Sequence, residues 1–188
     1  MKHLPDEELI ARCARGDSRA MDELVCRYHG KLLDFALRQL GARETAADIA
    51  QAAFVRAFQS AASFRAEATF KTWLYAIALN LIREEVRKRR RRGETLLSEL
   101  DDQAPTETAR ESSPEDAALE RITSSAIWES VDDLPESQKT VVILRFRMGL
   151  TYEEIAEVVG APVGTVRSWA HHALKALRKT LEPTNCEG

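Results

Sequence analysis

The sequence predicts an all-α protein: two small helical domains joined by a flexible acidic linker, the C-terminal one containing a helix-turn-helix. Three observations predict it. Helix breakers are scarce, with 8 Gly and 6 Pro in 188 residues, so long stretches run uninterrupted. Apolar residues recur every three or four positions rather than alternately, and no segment reads as a strand. Charge is segregated: from Glu94 to Glu120 nine acids face the single base Arg110, and Pro105 and Pro114 break the run. Such a segment repels itself and has too little apolar surface to pack. The expected limits are residues 1–92 for the first domain, 93–118 for the linker, 119–182 for the second domain and 183–188 for a tail.

Taken in order, Asp6 is expected to cap a helix running to about Arg15, which Gly16–Ser18 breaks. Ser18 caps a long second helix ending at Gly41, with Met21, Leu24, Val25, Leu32 and Leu33 at helical spacing. Thr45 with Asp48 resembles a capping-box start for a third helix reaching about Phe58. A fourth begins near Thr69, and Phe70, Trp73, Leu74, Ile77 and Leu81 form its apolar face at i, i+3, i+4, i+7 and i+11. Thr72, Ala76, Leu79 and Arg83 are expected to point away from that face, and an outward leucine at 79 predicts a partner surface. After the linker, helices are expected from Leu119 to Asp132 and, with Pro135 in its first turn, up to Gly149. Thr151 and Glu154 form a capping box for a short helix whose face is Tyr152, Ile155, Ala156 and Val159. Gly160 suits its left-handed stop, and a longer helix follows.

Several classes are disfavoured. The longest apolar run, Trp73–Leu79, falls far short of the roughly 20 residues that a membrane span requires, and no N-terminal targeting pattern is seen. Cys13, Cys26 and Cys186 are odd in number and widely spaced, which argues against a disulfide framework. A cytoplasmic protein without membrane insertion is the expectation. No Walker loop, Rossmann glycine pattern, HExxH or CxxC occurs, so no catalytic residue, metal or cofactor is assigned. Cys26 and His29 make half a metal site at best; Cys26 is expected in a helix interface and His29 partly exposed.

The stretch from Val163 to Thr180 carries four cations, Arg167, Lys175, Arg178 and Lys179, and no acid. Val166, Ala170, Ala173, Leu174, Leu177 and Leu181 form its apolar back. Ser168, His171, His172, Lys175 and Lys179 lie opposite, with Arg167, Arg178 and Trp169 at the edges. A short capped helix, a turn and a helix with a cationic front suit docking in a DNA major groove. Gly164, Thr165, Arg167 and Ser168 would come nearest the bases or phosphates. Just before and within the fourth helix, Phe64, Phe70, Trp73 and Tyr75 interleave with cations, a pattern suited to single strands, whose unstacked bases need stacking platforms; Phe70, in the apolar stripe, reads as core.

Three segments resemble extracytoplasmic-function sigma factors of bacterial RNA polymerase, in that family's order. FRAEATFKTWLYAIALNLIREEVRKRR (Phe64–Arg90) resembles the promoter-melting segment, with every fixed position of F-x5-F-x-T-W-L-Y-x-I-A-x-N present. DIAQAAFVRAF (Asp48–Phe58) resembles the core-polymerase-binding helix. Leu134–Ser168 resembles the promoter-binding helix-turn-helix. The resemblance implies a transcription initiation factor whose first domain is sigma region 2 and whose second is region 4. It implies that Asp48, Gln51 and Phe54 bind core polymerase. It places Phe64, Lys71, Thr72, Trp73, Tyr75, Asn80, Arg83 and Arg87 at the single-stranded −10 element. It places Gly164, Thr165, Arg167, Ser168, Trp169, His171, His172, Lys175 and Arg178 at the duplex −35 element. An anti-sigma factor is the further partner implied. Trp169 and His172 stand where the family usually carries cations, so the −35 sequence read here is not transferable from relatives. The competing expectation is a helix-turn-helix regulator that never touches polymerase.

Overall fold

The structure is a computed structural model that describes residues 4–65, 67–93 and 125–181. Residues 94–118 of the expected linker, 119–124 of the expected helix, and the tail with Cys186 lie outside the described residues. All regular structure among the described residues is helical. The four helices before Leu96 form one compact unit, and a second unit follows.

In the first unit, α1 (Asp6–Cys13), α2 (Ser18–Leu40), α3 (Arg43–Gln59) and α4 (Phe70–Arg91) surround a core centred on Leu9, Ile10, Leu24, Leu32, Phe35, Phe70 and Leu74. Helix starts differ from expectation in instructive ways. Asp6 does not cap α1; it occupies the first turn, and its carboxylate accepts hydrogen bonds from Arg27 and the Tyr28 hydroxyl of α2. Arg27 also donates to the Leu4 carbonyl at 2.8 Å and to Glu23 at 2.7 Å. Asp6 is thus committed to a tertiary clamp. Asp17, not Ser18, caps α2, accepting from the Arg19 and Ala20 amides at 3.1 and 3.4 Å; its carboxylate reaches the orphan amides that every helix start exposes. Thr45 lies inside α3, and its hydroxyl accepts from Arg89 at 2.6 Å, tying the end of α4 to the start of α3. Arg89 is held in turn by Glu85 at 3.2 Å.

α4 starts as expected: the Thr69 hydroxyl caps it, accepting from the Thr72 amide at 3.2 Å. Its buried arc is far wider than one stripe. Thr72, Tyr75, Leu79 and Ile82 are buried along with Phe70, Leu74, Ala78 and Leu81. At 100° per residue these positions cover roughly 200° of the helix. The cause is that α4 is contacted by α1, α2 and α3 together, so Leu79 and Thr72 are core residues and not an outward partner surface.

After residue 124 come α5 (Ser125–Asp132), α6 (Glu136–Val142), α7 (Tyr152–Val159) and α8 (Val163–Leu181). Pro135 is the cap residue before α6 rather than part of its first turn. The helix expected up to Gly149 is α-helical only to Val142. Ile143–Arg147 widens into a π turn, with the Met148 amide bonded to the Ile143 carbonyl at 3.0 Å. Gly149 then leaves with φ +68°. α6 and α5 pack against α8, whose buried back is Val166, Ala170, Ala173, Leu174 and Leu177, as the periodicity predicts.

Candidate promoter and polymerase interfaces

The first candidate surface is the outer strip of α3. Asp48 and Gln51 are exposed there. Phe54 is not: it is 7% exposed and stacks on His29 of α2 with ring centroids 6.4 Å apart. It joins two helices and leaves little of its ring at the surface. Sequence reasoning missed Val55 and Phe58, the large apolar side chains left exposed among the described residues, at 48% and 41%. They stand seven and ten residues after Asp48, on the same strip, and that spacing was the available signal. Cys26, expected in a helix interface, is exposed, whereas Cys13 is buried; burial raises the Cys13 thiol pKa above its ordinary value.

The second surface joins the loop before α4 to one side of that helix. Phe64, Phe70 and Trp73 form an aromatic corner, with centroids 5.2 Å apart for Phe64–Trp73 and 6.2 Å for Phe70–Trp73. Phe70 is fully buried and meets Tyr28 edge-on at 5.5 Å, so it supports the two half-exposed rings from beneath. Thr69 rigidifies the junction through its cap and a 2.8 Å contact with the Thr72 hydroxyl. From this corner the outward side of α4 continues through Ala76, Asn80, Arg83 and Arg87. Asn80 and Arg87 are exposed and Arg83 is half-buried. The stripe from Trp73 to Arg87 is roughly 20 Å long at 1.5 Å per residue.

Three residues expected on this surface are elsewhere. Tyr75 is 1% exposed and packs edge-on against Phe35 at 5.3 Å; burial raises its pKa, and Asp34 adds to the rise. Thr72 is buried by its role at the helix start. Lys71 lies about half a turn around the helix from the stripe.

The third surface is the helix-turn-helix. The capping box is present in both directions: the Thr151 amide donates to Glu154 at 2.7 Å, and the Glu154 amide to the Thr151 hydroxyl at 3.1 Å. Gly160 takes φ +73°, and the Ala161 amide reaches the Ala156 carbonyl at 3.1 Å, closing α7 with a Schellman-type turn. α8 then starts at Val163, with the Val166 amide bonded to the Pro162 carbonyl at 3.1 Å. Gly164, His171, Lys175 and Arg178 are exposed on its front, and Thr165, Arg167, Trp169 and His172 are half-buried. Ser168, expected among them, is only 3% exposed; a short hydroxymethyl is shielded before its longer neighbours are. The imidazoles of His171 and His172 meet edge-on at 5.8 Å. Arg167 donates to Glu153 at 3.1 Å and lies 5.9 Å from the Tyr152 ring centroid.

Among the described residues, no group of three or more His, Cys, Asp and Glu could hold a metal ion, and no helix is long and apolar enough to cross a membrane.

These two units fall on two known families. Residues 24–92 match Sigma-70 region 2, and residues 124–177 match Sigma-70, region 4. Fold and surfaces together therefore define a protein of the sigma-70 class that carries regions 2 and 4. Relatives narrow the class. The chain is 37% identical to the RNA polymerase sigma-H factor of Pseudomonas aeruginosa, over 95% of this chain and 94% of that one. It is 34% identical to the ECF RNA polymerase sigma-E factor of Haemophilus influenzae, over 97% and 98%, and 34% identical to SigW of Bacillus subtilis, over 92% and 94%. Among solved structures it is similar to CnrH in complex with the cytosolic domain of CnrY (TM-score 0.67, 27% identity, 94% of this chain and 96% of that one). The fold is also that of RpoE from Bartonella quintana, solved with the anti-sigma factor NepR (TM-score 0.66, 21% identity, 87% and 97%). The chain belongs to the extracytoplasmic-function sigma factors, a family of transcription initiation factors.

Proposed function

We propose that this sigma factor binds core RNA polymerase through the outer strip of α3 and directs it to promoters with two separate DNA contacts. Asp48, Gln51, Val55 and Phe58 make the polymerase contact, two polar groups beside two exposed apolar ones. Phe64, Trp73, Asn80, Arg83 and Arg87 take the unpaired −10 strand: aromatic faces for bases, an amide for a base edge, guanidiniums for phosphates. A base drawn out of the stack costs a few kcal/mol, which a fitting pocket at the Phe64–Trp73 corner offsets only for the preferred base. α8 takes the −35 duplex with Arg167, Trp169, His171, His172, Lys175 and Arg178. An anti-sigma factor, of the kind solved with RpoE, is the proposed regulatory partner.

The observation that carries this reading is the coexistence, in one chain, of a supported aromatic corner and a separate helix-turn-helix with a cationic front. A regulator acting without polymerase has use for the second and none for the first. Co-purification tests the point. Wild-type protein is expected to retain core polymerase, and Phe58→Asp, a surface change, to reduce retention at least tenfold while leaving helix content unchanged. Retention of polymerase by neither protein, with intact duplex binding, would overturn the reading in favour of the polymerase-independent regulator.

A further inference from the structure

Arg167 is the first cation of α8, and it is not loose. Its Nη2 donates to Glu153 Oε1 at 3.1 Å, and its guanidinium carbon lies 5.9 Å from the Tyr152 ring centroid. The same ring carries a second guanidinium, Arg145, at 4.9 Å. Arg145 is itself fixed, donating through Nη1 to the Leu150 carbonyl at 3.1 Å. Tyr152 and Glu153 open α7, whose start is held by the reciprocal Thr151–Glu154 bonds. Rigid backbone thus stands behind each group that touches Arg167. The ion pair is solvent-exposed, with 42% and 61% of the two side chains accessible, and exposed pairs contribute little to folding. Stability is therefore a weak explanation for it. The Glu153 carboxyl is held below its usual range, first by its own backbone amide and then by Arg167 and Thr151, so it stays charged at neutral pH.

We infer that Glu153 is a positioning residue for promoter binding: together with Tyr152 it fixes the Arg167 guanidinium in one place, against the start of α7, before DNA arrives. The pair uses one amino group in a single contact, leaving further donors of the fork for a phosphate or base edge. Binding then immobilises a side chain that is already ordered, and the entropic cost of ordering it is reduced. The inference rests on α8 being the duplex-binding helix.

The opposite sign is the natural alternative. A carboxylate beside a DNA surface repels phosphates, so if Glu153 does no more than that, removing its charge tightens binding. The test uses the full-length protein and a duplex carrying the upstream element of a promoter that the factor transcribes in vitro, with a scrambled duplex as control. Glu153→Gln is expected to weaken promoter-duplex binding about three- to tenfold and to leave scrambled-duplex binding equal or slightly tighter. In an Arg167→Ala background the same change is expected to cause no further weakening, since additivity fails only where residues act through one another. Glu153→Asp, which keeps the charge, is expected to restore much of the loss. Tighter or unchanged promoter binding by Glu153→Gln, or equal weakening in both backgrounds, would overturn the inference while leaving the family function standing. Failure of wild-type protein to prefer the promoter duplex would overturn both.

Discussion

Tyr28 and Tyr75 sit in the first unit with hydroxyls that resist ionisation. Burial is the main cause for both; hydrogen bonding to Asp6 adds to it at Tyr28, and Asp34 at Tyr75. Their pKa values in the fold lie above the ordinary 10.0. The unfolded chain therefore releases these protons first, and the fold holds more protons above pH 10. Stability is fully present below that pH and declines as pH rises through and beyond it. In an alkaline titration followed by tyrosinate absorbance, Tyr28 and Tyr75 are expected to ionise only as the first unit unfolds. Smooth ionisation of both near pH 10 with helix content intact would contradict this packing. Asn80 makes the complementary prediction, because it is exposed and supports no core. Asn80→Ala is expected to slow promoter opening at least tenfold, read by permanganate reactivity of unpaired thymines, with polymerase affinity unchanged. Parallel loss of both would remove Asn80 from the −10 surface.

Elements were legible where one force dominated. The apolar stripe of α4 and the buried back of α8 follow from hydrophobic periodicity, and the Thr151–Glu154 box and Gly160 stop from local backbone chemistry. What the sequence concealed depended on tertiary partners. Asp6 looked like a cap, yet Arg27 and Tyr28 claim its carboxylate. Thr45 looked like another, yet Arg89 claims its hydroxyl. A helix wheel assumes one buried face, and α4 has three neighbours, so Thr72 and Leu79 looked outward but are core, as is Tyr75, which the resemblance placed at the −10 element. The candidate sites divide likewise. Asn80 and Arg87, named through the family pattern, are exposed, and Trp73, which spacing put on the apolar face, is half-exposed beside them, whereas Phe54 became core and Val55 and Phe58 took its exposed place. The π turn at Ile143–Arg147 has no sequence signature that would have separated it from α-helix. At the helix-turn-helix, Thr151→Ala removes one capping bond and is expected to cost about 1 kcal/mol. Gly160→Ala forces a Cβ into left-handed backbone and is expected to cost about 1–2 kcal/mol. Denaturant unfolding followed by helix circular dichroism checks both, and no loss from Gly160→Ala would contradict the left-handed turn.

At the scale of the whole molecule, the proposed function gives chemically different DNA states to different units. In that proposal the helix-turn-helix takes intact duplex on its cationic front, where phosphate contacts position and side chains read base edges. The α4 stripe would take bases that have already left the duplex, with its rings and an amide. On the same proposal, neither contact starts a transcript unless the strip on α3 brings polymerase to the promoter. Run-off transcription tests this coupling most directly: core RNA polymerase, this protein and a library of promoter sequences, with transcript starts read by sequencing. The account predicts transcripts only when the protein is added, with two enriched sequence elements upstream of the start, the nearer one degraded by Asn80→Ala. Start sites that do not change on addition of the protein would contradict it.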